Sequence, residues 1–505
     1  MPLLTIGLDR LVLFYRTPAE MIERLMTHSS HEQNLELPAT PIPPSIAVVG
    51  GGVTGLVALR EIRQRNPQAK VRLFESSSRV GGVLQTTRND SWLVEHSADM
   101  MATSPREGWA LCEALGLAEE MLPTNPTHRG AVVYRNGKLY PVPDGFSLMA
   151  PSSVIPLLKS SLLSWPGKLR LACERWVRPR SDSCDESFES FARRRCGEEA
   201  YQYLVQPLVS GIYTADPAKL SMQATALARF VKMEQTYGSL TRGMLKGEGK
   251  KQSADKQANG ARYSMFVAPR LGMQQLVDRL ADEAGREHIR TDTPLKALRR
   301  GPDPDQWELD DGRQVERFDR VVLATSAPQA ARLLAEVDEP LSTEIGRIEH
   351  ASSAVVALAF PKPNRNPGVF GLVVPDAEKR QMIAASFGSN KFSGRAPDGG
   401  LLVRVFLGGA LNEAITHESD DVLVETAVRE LREIADVTGT LAFSQVIRWQ
   451  KTMPQYHVDH LKKLEVIQNR LDALPGLVVA GNAFRGVGIP DCVRAGRHAA
   501  EQICT

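Results

Sequence analysis

Short apolar runs of strand length and longer stretches with helical spacing follow one another along this chain. Ser45–Val49 is the first convincing run, and a glycine-rich turn and a helix-like segment, Leu56–Arg65, come directly after it. A second strand-like run, Lys70–Phe74, follows that helix. The order strand, helix, strand predicts the opening of an α/β fold.

The rest of the chain divides into a mostly helical part and a later β-rich part. Residues 101–245 have apolar positions at helical spacing, most clearly in Phe188–Arg195, Glu198–Val205 and Leu220–Gln235. From about residue 350 the pattern predicts strands of one sheet, at Ala351–Phe360, Val369–Pro375 and Leu401–Gly409. A helix is predicted at Asp421–Val437, and a last strand, Leu477–Ala480, precedes a closing helix.

Two segments have the composition of a linker or a loop. Residues 1–44 end in a proline-rich stretch, Pro38–Pro44, which cannot continue a helix or a central strand, so we interpret them as a tail. Residues 246–262 are polar, charged and without periodicity, which predicts a mobile loop.

Composition and charge argue against several broad classes of protein. The 505 residues carry 61 Lys and Arg against 59 Asp and Glu, a net charge of +2, which argues against nucleic acid as the partner. No run of roughly 18 apolar residues is free of charge, so no transmembrane helix is expected. Six scattered cysteines without a C-x-x-C pair predict reduced thiols, a cytoplasmic location and no metal site.

The turn after the first strand has the spacing of a phosphate-binding loop. It reads G-x-G-x-x-G over Gly50, Gly51, Gly52, Val53, Thr54 and Gly55. We expect Gly50 to permit the tight turn, Gly52 to let a diphosphate approach, and Gly55 to let the helix pack on the strand. Glu75 ends the second strand about 20 residues further on, where a carboxylate that binds ribose is expected.

The residues after Glu75 decide which dinucleotide is expected. Arg79 and the pair Gly81 and Gly82 complete the pattern E-x-x-x-R-x-G-G, which resembles a stretch of FAD oxidoreductases of the amine oxidase class. Simple NAD dehydrogenases lack this stretch. The predicted cofactor is therefore FAD.

The closing segment is predicted to return to the same sheet. The strand Leu477–Ala480 leads into a Gly-rich turn, and Asp491 suits the positive end of the helix that follows. We expect the start of this helix to face the flavin ring. The segment Asp319–Thr325 supplies a further strand, and Leu295 is expected beside the adenosine half of the cofactor.

With these segments located, residues 45–505 resemble the protoporphyrinogen oxidase family, FAD enzymes of the amine oxidase and phytoene desaturase-like class. Blocks beyond the FAD fingerprint carry the resemblance: Asp185–Arg194, Pro207–Tyr213, Met453–His460 and Ala480–Cys492. They are similar to the family patterns D-E-S-x-x-x-F, S-G-V-Y, I-P-Q-Y-x-x-x-H and A-G-x-x-x-x-G-V-x-V-x-D-C. Generic amine oxidases and carotenoid desaturases share the FAD fingerprint and the last block, Ala480–Cys492, but not the blocks between them.

The resemblance implies an α/β fold with three parts. These are a Rossmann-type FAD-binding domain, a mixed β-sheet substrate domain and a helical domain. The FAD-binding domain is expected to be discontinuous, over 45–100, 263–330 and 470–505. The mainly helical domain is expected at 101–262 and the substrate sheet at 331–469.

The resemblance also assigns contacts residue by residue. FAD would be held by the turn Gly50–Gly55, by Glu75 and Arg79, and by Gly81, Gly82, Val83, Leu295, Asn482, Val487, Gly488 and Ile489. The backbone of Gly211 and the side chains of Phe370, Val373 and Phe406 would line an apolar pocket for a porphyrinogen. No catalytic residue is assigned, because the pyrrole nitrogens of the substrate can themselves lose protons.

The implied reaction is the six-electron oxidation of protoporphyrinogen IX in haem biosynthesis, by hydride transfers to FAD with O2 as acceptor and H2O2 as product. Three alternatives stay open: coproporphyrinogen III as the substrate, another FAD amine oxidase or carotenoid desaturase-type enzyme, and a non-catalytic flavin- and porphyrin-binding protein. The family's arginine that pairs with a substrate propionate is missing near Ala102. Arg106, Lys391 and Arg395 are the alternative bases.

Residues 146–180 mix large apolar side chains with six basic residues and a single acid, Glu174. Such a segment is typical either of peripheral contact with an anionic membrane or of a helical lid whose apolar face is core. The resemblance places a membrane-binding helical domain here. The oligomeric state stays open, with a homodimer as one possibility.

Overall fold

The structure, a computed structural model, describes residues 43–128, 130–151, 153–248 and 265–505. The predicted tail, apart from its last two residues, lies outside the described residues. The predicted loop 246–262 also lies outside them, apart from residues 246–248. The features below belong to the compact unit Pro44–Thr505.

The described strands are numbered in chain order as β1 (Ser45–Val49), β2 (Lys70–Phe74), β3 (Thr86–Asn89), β4 (Trp92–Glu95), β5 (Met101–Ala102), β6 (Met121–Pro123), β7 (Ala131–Arg135), β8 (Lys138–Pro141), β9 (Phe146–Ser147), β10 (Ala150–Pro151), β11 (Phe266–Pro269), β12 (Ile289–Arg290), β13 (Ala297–Arg300), β14 (Trp307–Asp310), β15 (Val315–Phe318), β16 (Arg320–Leu323), β17 (His350–Phe360), β18 (Gly371–Val373), β19 (Met382–Phe387), β20 (Leu401–Gly408), β21 (Phe443–Pro454) and β22 (Leu477–Val479).

The described α-helices are α1 (Val53–Arg65), α2 (Glu107–Ala114), α3 (Val154–Lys159), α4 (Trp165–Ala172), α5 (Phe188–Cys196), α6 (Glu198–Ala200), α7 (Gln206–Tyr213), α8 (Ala228–Tyr237), α9 (Leu240–Gly243), α10 (Met273–Ala284), α11 (Ala327–Leu334), α12 (Glu339–Gly346), α13 (Gly388–Lys391), α14 (Asp420–Ala435), α15 (His460–Leu471) and α16 (Ile489–Cys504). Single π-helical turns lie at Tyr201–Val205 and Met244–Glu248, and short 3-10 turns lie at Ala118–Glu120, Cys173–Trp176, Arg286–His288, Asp376–Glu378 and Glu413–His417.

A five-stranded parallel sheet in the order β12-β2-β1-β16-β22 forms the centre of the first domain. Side chains of β1 alternate between two cores: Ile46 and Val48 pack with α1, α10 and α16, while Ala47 and Val49 pack with α11, α12 and α15. Helices on both faces of a parallel sheet define a doubly wound α/β domain. The predicted Rossmann-type domain is confirmed.

A seven-stranded mixed sheet in the order β21-β17-β20-β19-β18-β7-β8 forms the second layer. Only β18 and β7 pair in parallel within it, and the other neighbours are antiparallel. Helix α14 covers one face, where Val403, Val405 and Leu407 of β20 pack with Leu423 and Leu431. On the opposite face of β20, Phe406 is half-buried against a smaller apolar cluster to which β4 contributes.

The mainly helical part is held by a buried ionic cluster as well as by apolar packing. Arg195 is fully buried and pairs with Glu174 and Glu234, and Glu174 also accepts a hydrogen bond from the Ser239 hydroxyl (2.7 Å). These residues come from the 3-10 turn Cys173–Trp176, from α5, from α8 and from the position before α9. The cluster thus joins four segments of the helical part, with each buried charge paired.

Two segments differ from the pattern-based prediction. The helix predicted over 220–235 begins only at Ala228, because Leu220 and Ser221 form β-bridges with His457 and Ser187. The strands β7 and β8 lie in the range predicted to be mainly helical, yet they extend the mixed sheet. Strand β7 is buried on both faces, so its sequence lacks the alternation of a half-exposed strand.

The cores also divide the chain differently from the predicted domain limits. Helices α11, α12 and α15 contribute to the core beside the parallel sheet, although most of their residues lie in the range assigned to the substrate domain. Among the described residues, none of the helices is long and apolar enough to cross a membrane.

Candidate active site

The glycine-rich turn joins β1 to α1 at the carboxyl edge of the parallel sheet. Gly50 has a φ of +107°, and a Cβ there would lie 2.5 Å from the carbonyl oxygen of Ala324. A Cβ on Gly55 would lie 1.9 Å from the carbonyl oxygen of Gly50. A Cβ on Gly52 would meet nothing within 4 Å. The turn therefore leaves open space at the N-terminus of α1, where free N–H groups suit a diphosphate.

The second glycine pair lies directly against this turn. The N–H of Gly81 donates to the carbonyl oxygen of Gly51 (2.7 Å), and Gly52 and Gly81 form a parallel β-bridge. The Glu75 carboxylate accepts from the N–H groups of Gly51 (2.7 Å) and Ser77 (2.8 Å). The two sequence motifs thus form one continuous wall of the cleft.

Arg79 holds the end of that wall in place. Its guanidinium donates to the carbonyl oxygens of Val80 (3.1 Å), Leu84 (3.1 Å) and Gly82 (2.6 Å). Burial lowers the pKa of Arg79, and the nearby Glu75 carboxylate opposes this shift. The role of Arg79 in the structure is to fix the backbone around the glycine pair.

The middle segment of the chain reaches the same edge beside Glu75. The N–H of Thr293 donates to the backbone carbonyl oxygen of Glu75 (2.9 Å), and Leu295 two residues later is buried. Val83, on the other side of the glycine pair, remains 36% exposed. These positions lie along the wall of the cleft at which the sequence predicts FAD contacts.

The closing helix α16 brings the last predicted contacts to this edge. A Cβ on Gly496 would lie 2.5 Å from the carbonyl oxygen of Thr54, so α16 packs closely on α1. The N–H of Gly488 donates to the Asp491 carboxylate (3.3 Å), which caps the N-terminus of α16. The middle of α16 therefore packs on the first turn of α1, and Asn482 lies in the loop that leads to α16.

The face of the mixed sheet opposite α14 carries an apolar row. The register pairs Val373 with Ala384, Ala384 with Phe406, and Phe406 with Val355. Residues directly opposite one another on neighbouring strands share a face. A Cβ on Gly211 of α7 would lie 3.7 Å from Val373 Cγ1, so α7 meets this row at a residue without a side chain. Of the four predicted substrate residues, Val373 and Phe406 therefore lie on this row and Gly211 lies next to it.

Phe370 directly precedes β18, the strand that carries Val373. Its N–H donates to the carbonyl oxygen of Gly130 (3.0 Å), whereas its carbonyl oxygen accepts from the N–H of Phe387 (2.9 Å). The N–H and C=O groups of Phe370 thus point to two different strands, so the backbone bends here before the regular register begins at Gly371. The contact of Phe370 with the substrate stays a prediction.

The next row on the same face is polar and charged. The register pairs Ser386 with Arg404, two residues along from Ala384 and Phe406. The Asp99 carboxylate accepts from the Ser386 hydroxyl (3.0 Å) and pairs with Lys391 Nζ (3.0 Å) and Arg404 Nη2 (2.6 Å). Two cations on one carboxylate leave one net positive charge beside the apolar row.

The protonation of this cluster follows from its burial and its charges. Burial by itself would raise the pKa of Asp99, but Arg404 and Lys391 hold that pKa well below its usual range. Burial lowers the pKa of Lys391, and Asp99 opposes that shift. Asp99 is therefore ionised, and its charge favours the ammonium form of Lys391.

Of the three bases proposed for the missing propionate arginine, only Lys391 belongs to this cluster. Arg395 donates to the carbonyl oxygens of Arg270 (2.9 Å) and Pro269 (2.9 Å). Arg106 lies on the surface and pairs with Glu113 at 3.3 Å. Asp99 and Arg404 were not predicted from the sequence, although a lone arginine in the apolar strand β20 is a signal that identifies such a position.

Three comparisons with known proteins agree with this geometry. The family profile described as flavin containing amine oxidoreductase matches residues 53–504. A coproporphyrinogen III oxidase of Bacillus subtilis (strain 168) is 31% identical over 91% of this chain and 98% of its own. Protoporphyrinogen oxidase 1, chloroplastic, of Arabidopsis thaliana is 27% identical over 92% of this chain and 88% of its own.

A crystal structure of a protein from Exiguobacterium sp. 255-15, provisionally assigned as a protoporphyrinogen oxidase, superposes with a TM-score of 0.80. It is 28% identical and covers 91% of this chain and 98% of its own. The open space at Gly52 and the double glycine wall fit the dinucleotide that such proteins hold, and the predicted cofactor FAD is confirmed. This chain belongs to the flavin containing amine oxidoreductase family, as an FAD-dependent oxidoreductase.

Proposed function

We propose that this chain is an oxygen-dependent porphyrinogen oxidase of haem biosynthesis. The observation that carries the proposal is the apolar row on the mixed sheet, which is directly followed by a net-positive cluster. A porphyrinogen has the matching chemistry, because it is a large apolar macrocycle with carboxylates at its edge. The names of the bacterial and plant relatives support the same reaction.

The residues of the site bind and orient the ring in this proposal. Val373 and Phe406 support the macrocycle and exclude water from it. Lys391 and Arg404 attract a carboxylate at its edge. FAD, when bound, accepts hydride from the ring and passes the electrons to O2.

Coproporphyrinogen III is the favoured substrate and protoporphyrinogen IX the second candidate. The bacterial relative, named for the first ring, is more similar to this chain than the plant relative, named for the second. Coproporphyrinogen III also carries more carboxylates, and the net charge of the Asp99, Lys391 and Arg404 cluster is positive. This proposal reverses the order in which the two rings were considered from the sequence alone.

The test is porphyrin fluorescence after each porphyrinogen is added, in separate cuvettes, to the FAD-loaded protein in air. We expect coproporphyrin III to form faster than in the protein-free control, with H2O2 as the second product. If only protoporphyrin IX forms faster than in its control, the substrate is protoporphyrinogen IX instead. Rates equal to both controls, with FAD fully bound, would refute the porphyrinogen oxidase proposal.

The variant Phe406→Ser tests the apolar row. The loss of a half-buried aromatic contact is worth about 1.5–3 kcal/mol, so we expect the substrate KM to rise about tenfold or more. FAD content is expected to stay unchanged. Val422→Ser, a change at an exposed position of α14 on the other side of the sheet, is the matched control. An unchanged KM in Phe406→Ser would remove the row from the substrate site.

We also propose that the segment 146–180 contacts an anionic membrane surface. Large side chains are exposed on α3, α4 and the turn after it: Ile155 (64%), Leu158 (43%), Trp165 (71%), Leu169 (67%) and Trp176 (66%). The single acid, Glu174, is buried in the ionic cluster with Arg195. Lys168 is buried and Arg180 pairs with Asp182, outside the segment. The surface of this segment therefore combines the apolar side chains with three exposed basic residues, Lys159, Arg175 and Arg178, as interfacial helices do.

Sedimentation with liposomes that contain phosphatidylserine tests this contact. We expect the wild type to pellet with the liposomes, and the triple variant Trp165→Ser, Leu169→Ser, Trp176→Ser to stay in the supernatant, because its apolar anchors are lost. Val315→Ser with Val466→Ser, two exposed apolar residues elsewhere, is the control. A wild type that stays in the supernatant would contradict the proposal.

A further inference from the structure

Tyr456 and His460 form a buried aromatic pair. They belong to the block Met453–His460, whose resemblance to the family pattern assigned it no role. Tyr456 is 1% exposed and His460 is 2% exposed. Their rings stack with centroids 4.4 Å apart and an angle of 18° between the planes. The pair follows β21, the edge strand of the mixed sheet.

The Tyr456 hydroxyl and His460 Nε2 form hydrogen bonds with backbone atoms of one loop. The Tyr456 hydroxyl accepts from the N–H of Gly486 (2.8 Å) and donates to the carbonyl oxygen of Asn482. His460 Nε2 lies 3.0 Å from the carbonyl oxygen of Phe484, between those two positions. Two side chains thus hold the beginning, the middle and the end of the loop 482–486.

The protonation of both groups suits these contacts. Burial raises the pKa of Tyr456, so the phenol keeps its proton. The pKa of His460 is lowered to about 4, mainly by burial; the hydrogen bond to the Phe484 carbonyl oxygen opposes this shift, and the positive charge of Lys463 adds to it. The imidazole is therefore neutral at pH 7. Its partner is a carbonyl oxygen, which assigns the remaining proton to Nε2.

The loop leads directly to the N-terminus of α16. Asn482 lies in the loop, and Val487, Gly488 and Ile489 follow it; these are the positions at which FAD contacts are expected. The carbonyl oxygen of Tyr456 also accepts from the N–H of Ser221 (2.7 Å), so the pair is itself anchored to the helical part. The position of the backbone expected to bind FAD thus depends on two residues of the segment that leads from β21 into α15.

We propose that Tyr456 and His460 are positioning residues that set the FAD-binding backbone of 482–489 and, through it, the redox properties of the flavin. They act through the loop and touch neither substrate nor cofactor. This inference rests on FAD as the cofactor and on the predicted contacts of the loop. It does not depend on which substrate reduces the flavin.

The variant Tyr456→Phe tests the proposal, because it removes the hydroxyl and retains the stacked ring. The loss leaves the Asn482 carbonyl oxygen and the Gly486 N–H without their partner. We expect the Kd of FAD to rise about tenfold, and the absorption spectrum and midpoint potential of the flavin to shift. Titration with FAD measures the affinity and the spectrum of the bound flavin. Reduction with dithionite measures the midpoint potential, and neither measurement needs a porphyrinogen.

Two further variants separate positioning from a merely structural role. His460→Gln retains an amide N–H donor for the Phe484 carbonyl oxygen, and we expect a spectrum and potential close to the wild type. His460→Leu removes the donor and is expected to shift both. Tyr237→Phe, a tyrosine of α8 outside this loop, is the matched control. Wild-type FAD affinity, spectrum and potential in both Tyr456→Phe and His460→Leu would overturn the proposal; if His460→Leu does not fold, Tyr456→Phe against Tyr237→Phe decides.

Discussion

Replacing Gly55 with valine is expected to yield a chain that retains no FAD. Even a Cβ at this position would lie 1.9 Å from the carbonyl oxygen of Gly50 and 3.3 Å from the Cβ of Ala324. Backbone atoms cannot give way as the end of a flexible side chain can. Helix α1 must then move away from β1, and the phosphate-binding N-terminus moves with it. The measurement is flavin absorbance per chain after purification in excess FAD.

Variants at two other glycines distinguish a loss of folding from a loss of cofactor binding. Gly52→Ala adds a Cβ that meets nothing within 4 Å, at a φ of −71° that alanine accepts. We expect the apoprotein to melt at the wild-type temperature but to bind FAD at least tenfold more weakly, because the methyl group enters the space of the diphosphate. Gly346→Ala, in ordinary contact with Ala331, is the neutral control. Wild-type FAD affinity in Gly52→Ala would show that the diphosphate lies elsewhere.

The second large effect is expected from Arg404→Met, which should destabilise the protein by about 3–5 kcal/mol. Arg404 is 3% exposed, and it pairs with Asp99 and donates to the carbonyl oxygens of Glu95 (3.1 Å) and Ser97 (2.5 Å). Methionine fills a similar volume but satisfies none of these groups. The buried Asp99 carboxylate would be left with Lys391 alone. Urea denaturation of the FAD-loaded protein measures the loss.

A double variant tests whether the loss of stability in Arg404→Met comes from the unpaired charge of Asp99. Arg404→Met with Asp99→Asn removes both members of the ion pair, and we expect it to recover part of the stability lost in Arg404→Met alone. Arg299→Met, which breaks ion pairs of an exposed arginine with Asp310 and Glu336, is the matched control and should reduce the stability far less than Arg404→Met. Equal losses for Arg404→Met and Arg299→Met would contradict the importance of the buried cluster.

The FAD-binding half of the site could be predicted because its contacts are local in the chain. Gly50, Gly52 and Glu75 lie within one strand–helix–strand unit, and the spacing of the glycines follows from backbone geometry alone. Strand alternation likewise identified β20 and β17 to within a residue. Their sequences are long and apolar, and they occupy the centre of the sheet.

The polar half of the site could not be predicted, because it depends on pairs that are distant in the chain. Asp99 and Lys391 are 292 positions apart, and no local pattern joins them. The direction of the chain at Phe370 was likewise invisible, because its backbone bonds to two segments distant in sequence, at Gly130 and Phe387. The role of Tyr456 was invisible for the same reason, since its partners are backbone atoms of another segment.

The close packing of α16 on α1 also has a consequence for the biosynthesis of the protein. Gly496, which contacts the carbonyl oxygen of Thr54, is translated 442 residues after it. A ribosome thus produces the phosphate-binding turn early, but the helix that buries the apolar face of α1 emerges late. Until then Val57 lacks part of its cover, and the core of the FAD-binding domain is incomplete. We therefore expect stable FAD binding only after this last helix has been synthesised.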